Sequence, residues 1–230
     1  MPMYSDDLWL GEATGPQSQS WAGPGQVYRG VGPLGRVYIF DIVPSAASAT
    51  AVVNAQPAAA AGNVTIANGT LDVARALQVV SSASGDTSQG VFVTGTDYWG
   101  QAQTEYFLLT GVTPVLGKKA FKTVTQVYVS AATAGNVSVG RIDVFGLPYR
   151  VNDAGYLLRT GWAGAVADDA GTFVAADATT PSNTTGDVRG TYDPSSAADG
   201  ARRLVIAIGL TGIQAGPNAT QAGAIGVTPA

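Results

Sequence analysis

The residues with chemical potential in this chain are few and scattered. Its three lysines, Lys118, Lys119 and Lys122, follow Gly117 in one short run. A phosphate-binding loop would add an upstream glycine at fixed spacing and a Ser or Thr after the lysine, and neither is there. The run reads instead as a charged lead into a hairpin, which discourages edge pairing, or as a contact for an acidic neighbouring protein. Gly30-Val31-Gly32-Pro33-Leu34-Gly35 matches the dinucleotide string G-x-G-x-x-G in letters only. Pro33 interrupts it, and a strand follows where a helix N-terminus would have to face the pyrophosphate. Asp168, Asp169, Asp177, Asp193 and Asp199 lack the regular spacing of oxygen ligands in a calcium loop and suit turns and caps better. The only glutamates are Glu12 and Glu105, and nothing in the sequence brings two carboxyl groups together as a glycosidase pair.

What is missing narrows the chemistry further. With no Cys there is no disulfide framework, thiolate nucleophile, zinc cluster or iron–sulfur site. With no His, a Ser-His-Asp triad and the usual general base are absent. The chain is therefore expected to be non-enzymatic, with no catalytic residue, cofactor or metal. Five Asn-x-Ser/Thr sequons matter only in a eukaryotic secretory pathway, and the acidic, polar Met1 to Leu10 does not read as a secretory leader.

Composition points to surfaces. Charged residues are 12% of the 230, about half the usual ~25%. A free monomer surrounds itself with charge to stay unassociated. A surface of Ala, Thr, Ser, Gly and Asn is easily desolvated, which suits a subunit packed against copies of itself or another protein. An acidic extracellular domain with a high Ala and Gly background is the other reading. A net charge of −4 argues against a broad nucleic-acid face. No segment approaches the ~20 apolar residues that span a bilayer.

The elements expected to carry those surfaces are strands. Residues 1–34 read as an extended arm, broken by Gly15-Pro16, Gly23-Pro24-Gly25 and Gly32-Pro33, with Trp9, Trp21 and Tyr28 between. These rings bury large areas when they dock, on the chain's own core or on a neighbour, and they are candidate partner contacts alongside Lys118, Lys119 and Lys122. Arg36 to Val43 reads as a strand buried on both sides. Ser45 to Ala61, rich in Ala and Ser, reads as a linker or long loop. Leu71 to Val80 is open between helix and strand. Gly90 to Thr94 and Thr104 to Leu109 form a hairpin across a Thr96-Asp97-Tyr98-Trp99-Gly100 turn. Phe121 to Ser130 and Val137 to Val144 follow as a further pair. Tyr156 to Arg159, Thr172 to Val174, Gly186 to Tyr192 and Arg202 to Leu210 form a second set. The expectation is an all-β chain, a sandwich or jelly-roll-like barrel of short antiparallel strands. It divides into a β domain at 35–148, a second sheet or small subdomain at 149–210, and an exposed Gly/Ala-rich tail at 211–230.

Several strings are more specific than composition. Val91-Phe-Val-Thr-Gly-Thr-Asp97-Tyr-Trp-Gly-Gln101 with Gln103-Thr104-Glu105, then Gly117 to Thr125, Gly135 to Gly140 and Phe145 to Pro148, resemble virion structural proteins of tailed bacteriophages. Gly186 to Thr191 and Ser196 to Gly200 are similar to the same class, so the resemblance covers roughly half the chain. It implies a capsid decoration, or cement, protein on the virion surface, made in the host cytoplasm. Such a protein bridges neighbouring copies of the major capsid protein by many weak repeated contacts. A homotrimer at three-fold positions is the preferred arrangement. A tail, fibre or receptor-binding component and a carbohydrate-binding β module are the alternatives. No nucleic acid and no membrane are expected as partners, and the resemblance assigns no functional residue.

Overall fold

The computed structural model describes residues 7–9, 34–211 and 228–230. Among them there is no α-helix; the single helical turn is a short 3-10 segment, Ala154–Tyr156. Thirteen strands run in chain order: β1 Asp7–Trp9, β2 Leu34–Ile42, β3 Ser48–Pro57, β4 Gly62–Asn63, β5 Thr70–Ser81, β6 Gly90–Thr96, β7 Ala102–Leu108, β8 Val115–Val129, β9 Asn136–Gly146, β10 Leu157–Trp162, β11 Thr172–Val174, β12 Thr191–Asp193 and β13 Leu204–Thr211. Every pairing is antiparallel, and the sheets form a sandwich-like arrangement. The all-β expectation holds, although β5 and β8, at 12 and 15 residues, are long for the short strands anticipated.

The larger sheet runs β11-β12-β9-β5-β8-β6-β7, with β3 added on β9 and β4 on β8. Its core is aliphatic: Val52, Leu77, Val79, Val91, Val93, Phe121, Val127, Val129, Val137 and Val139 are all fully buried. No strand of the smaller sheet contributes to that cluster, which the large sheet and its own connections supply. The smaller sheet runs β1-β2-β13-β10. It supplies Phe40, Ile42, Leu204, Ile206 and Ile208 to a second core, where they meet Phe145, Leu147 and Tyr192 from the end of the large sheet.

Three expectations about elements are corrected, and the one left open between helix and strand is resolved. Residues 48–57, expected as loop, form β3. Its pairing with β9 slips twice, its buried Val52 and Val53 are consecutive, and Ala55 has φ +46°, so the strand shows no clean alternation in sequence. Residues 70–81 are strand, central between β8 and β9. β2 is buried mainly on one face: Phe40 and Ile42 face the core, while on the other face Val37 is covered and Ile39 is exposed. Between Gly186 and Tyr192 only Thr191 onward is strand; Gly190 has φ +91° and the Asp187 side chain accepts from the Arg189 backbone N–H, which makes a turn.

The sheets also cross the division expected at residue 148. β2 pairs along its whole length with β13, Leu204 opposite Ile42 and Thr211 opposite Gly35. β12 pairs with β9 in the other direction. Of the expected tail, residues 212–227 lie outside the described residues; Pro229 is buried, and the Ala230 carbonyl accepts from Thr104 on the free edge of β7.

Candidate functional site

The tip of the β6–β7 hairpin is braced by several side-chain contacts. The Asp97 carboxylate accepts from the backbone N–H groups of Trp99 and Gln101, 2.8 Å each, closing the turn from inside. Gly100 takes φ +80°, a conformation that favours glycine. The other oxygen of Asp97 pairs with the Arg189 guanidinium, which also donates to Gln101 Oε1. Asp97 and Arg189 are both buried, so this pair ties the hairpin tip to the turn before β12. The indole N–H of Trp99 donates to the Pro148 carbonyl at 2.6 Å, which fixes the ring.

The tip carries an aromatic platform. Trp99 stands edge-on to Tyr98 and Tyr149, with centroids 5.1 and 5.9 Å apart. Tyr149 meets Tyr38 at 4.8 Å, and Tyr98 meets Phe40 at 6.0 Å. These T-shaped contacts use the favoured quadrupole geometry. They frame a groove of about 520 Å³ where the two sheets join, between β2, β5 and the hairpin tip. Trp99 is 45% exposed and Ile39 50%, and both line it. The polar groups at its wall are already engaged. Lys122 donates its ε-amine to the carbonyls of Leu71 and Asp72, at 2.8 and 2.7 Å. Burial acts to raise the Asp72 pKa, but hydrogen bonds from the Ser45 and Val73 backbone and the Arg75 charge hold it below the usual carboxylate value.

A second cluster lies under the start of β8. Glu105 of β7 accepts from the backbone N–H groups of Lys118 and Lys119. Asp187 accepts from Ala120 and Arg189 N–H, at 3.0 and 2.8 Å. Glu105, Lys119 and Asp187 are all buried. Burial pushes Glu105 up to about 7 and Asp187 upward, and pulls Lys119 downward.

The expected contact residues are thus dispersed. Lys118 is exposed, reaching the Thr184 carbonyl at 3.4 Å beside a cleft of about 590 Å³ that Leu116 and Val174 also line. Lys119 points inward and is fully buried, which removes it from any surface contact; alternation along β8 puts neighbouring lysines on opposite faces. Lys122 lies at the aromatic groove. Trp9 sits on β1, opposite Leu34 of β2, while Trp21 and Tyr28 lie outside the described residues. Sequence reasoning read the Trp99 turn as a connection and missed it as a platform. The signal was available: an Asp two residues before an aromatic in a tight turn is an Asx-turn pattern. Among the described residues no group of three or more carboxylates is placed to hold a metal ion. Compared with known protein families, with curated proteins and with solved structures, the chain matches none.

Proposed function

We propose that this protein works by protein–protein contact in an assembly, as a virion subunit that binds the outside of a phage capsid and bridges neighbouring major capsid subunits. The observation that carries the contact reading is the braced aromatic platform. A large indole is held half in water by a buried ion pair and a hydrogen bond, in one groove with exposed Ile39. Keeping apolar area exposed on a rigid support is what a binding patch requires, since little ordering entropy is lost on docking. The sparse surface charge supports the same reading. The assignment to a phage shell rests on the resemblance of Val91–Gln101 and the strings after it.

Co-sedimentation with expanded, empty shells of the major capsid protein tests it. The intact chain is expected to pellet with the shells, and Trp99→Ala to weaken binding about tenfold or more, as truncating an interface anchor does. Absence of pelleting by the folded protein rejects the capsid reading. A saccharide-binding module is the second reading, favoured by an exposed indole next to Asp41 and Asp72 in one groove; glycan-array binding lost in Trp99→Ala would select it.

A further inference from the structure

The ε-amine of Lys119 is fully buried and finds no hydrogen-bond partner among the described residues. An ammonium there would lose its hydration with no hydrogen bond to replace it. Burial accordingly lowers its pKa, against the opposing charges of Glu105, Asp187 and Asp177. The buried carboxyl groups of Glu105 and Asp187 are displaced upward by the same desolvation. In all three groups desolvation favours the neutral form.

Asp187 is held as an acyl acceptor would be. The Ala120 N–H points at its Oδ2 and the Arg189 N–H at its Oδ1. Donors on both oxygens polarise the carboxyl group and stabilise charge that develops there during attack. Ala120 directly follows Lys119, so one stretch of β8 carries the amine and also grips the acid. Glu105 binds the backbone of Lys118 and Lys119, which sets its carboxyl group beside the same two residues.

We propose that Lys119 and Asp187 condense to an intramolecular amide, with Glu105 as the proton carrier. The neutral Nζ attacks Cγ of Asp187 and the N–C bond forms. Protonated Glu105 gives its proton to the departing hydroxyl and takes one from the nitrogen at its other oxygen. The C–O bond then breaks and water leaves. Nothing is oxidised or reduced, and Glu105 ends as it began. Nζ starts beyond hydrogen-bond distance of the carboxylate, so rotation of the flexible lysine stem must close the gap. The reaction is favoured because one neutral amide replaces two ionisable groups held away from water. The bridge ties β8 to the turn before β12 and restricts the unfolded state of a chain that has no cysteine.

Mass spectrometry of the denatured full-length protein decides the matter. The expected mass is one water below that of the sequence. The peptide bearing Lys119 should be joined to the peptide bearing Asp187, with tryptic cleavage after Lys119 blocked. Glu105→Gln and Lys119→Met should both return to the sequence mass. The proposal is overturned by a wild-type protein at sequence mass, by a lost water confined to the Asp187 peptide as a cyclic imide, or by a bridge ending at Glu105 or Asp177. The wild-type spectrum suffices on its own if a variant fails to fold.

Discussion

Glu105 and Lys119 carry opposite charges yet are shifted toward the same state, neutrality, because desolvation outweighs their attraction. For Glu105 this has a definite pH signature. Its folded pKa is about 7, above the 4.5 of a free carboxyl group, so the folded state holds the proton more tightly than the unfolded chain. Stability is therefore highest below about 4.5 as far as this group is concerned, falls as pH rises to about 7, and is flat beyond. The loss is on the order of 2–3 kcal/mol. Urea titrations at pH 5 and pH 8 should show it in the wild type, and Glu105→Gln should remove most of the difference. The Asp97–Arg189 pair behaves differently, since each partner is buried and engaged. Arg189→Met strands a buried carboxylate that also closes the hairpin turn. It should lower stability by about 3–5 kcal/mol in the same titrations.

At the scale of elements, close approach of backbones decides which glycines matter. A Cβ on Gly95 would stand 1.9 Å from the Thr123 carbonyl oxygen, at the register shift where β6 meets β8. Gly62, on β4, has nothing within 4 Å. Gly95→Ala should cost about 1–3 kcal/mol or more, and Gly62→Ala should stay within about 0.5 kcal/mol; matched thermal melts separate the two. The same irregularities explain what could be read from the sequence. β6, β7, β9 and β13 alternate or run apolar between turn residues and were legible to within a few residues, while β8, which starts at Val115, was read only from Phe121 onward. β3 was not, because two register shifts break its period and half of its side chains are Ala, Ser or Asn. Arg75 and Lys119 are fully buried, each adjacent to an Ala or Lys that gives no hint of it. Arg75 is satisfied by Ile142 and Ser45 carbonyls and by Asp143, partners 67, 30 and 68 residues away. Charge type suggested surface, and only long-range pairing shows otherwise. The candidate platform was half legible: the Trp99 turn was seen, while its neighbours Tyr38 and Tyr149 come from β2 and from the bend that follows β9.

For the whole molecule, the pairing of β2 with β13 makes the two ends of the described chain one unit. A fragment ending at Pro148 would leave residues 37–42 of β2 without β13 and expose Phe40 and Ile42, so the halves are expected to unfold when separated. That closure also sets the character of the contact surface. It brings Ile39 of β2 beside Trp99, whereas Lys118 stands at a different cleft and Lys122 has its charge tied to two carbonyls. Two modes of docking therefore make opposite forecasts. Docking led by the lysines would weaken steeply with salt, since exposed charges are screened over about 10 Å at 0.1 M. Docking led by the Trp99 platform buries apolar area and responds little to salt. Shell binding measured from 50 to 500 mM salt should change less than about threefold, and Lys118→Ala should leave it nearly intact. A steep fall with salt, together with loss of binding in Lys118→Ala, would move the interface from the aromatic groove to the lysine cleft.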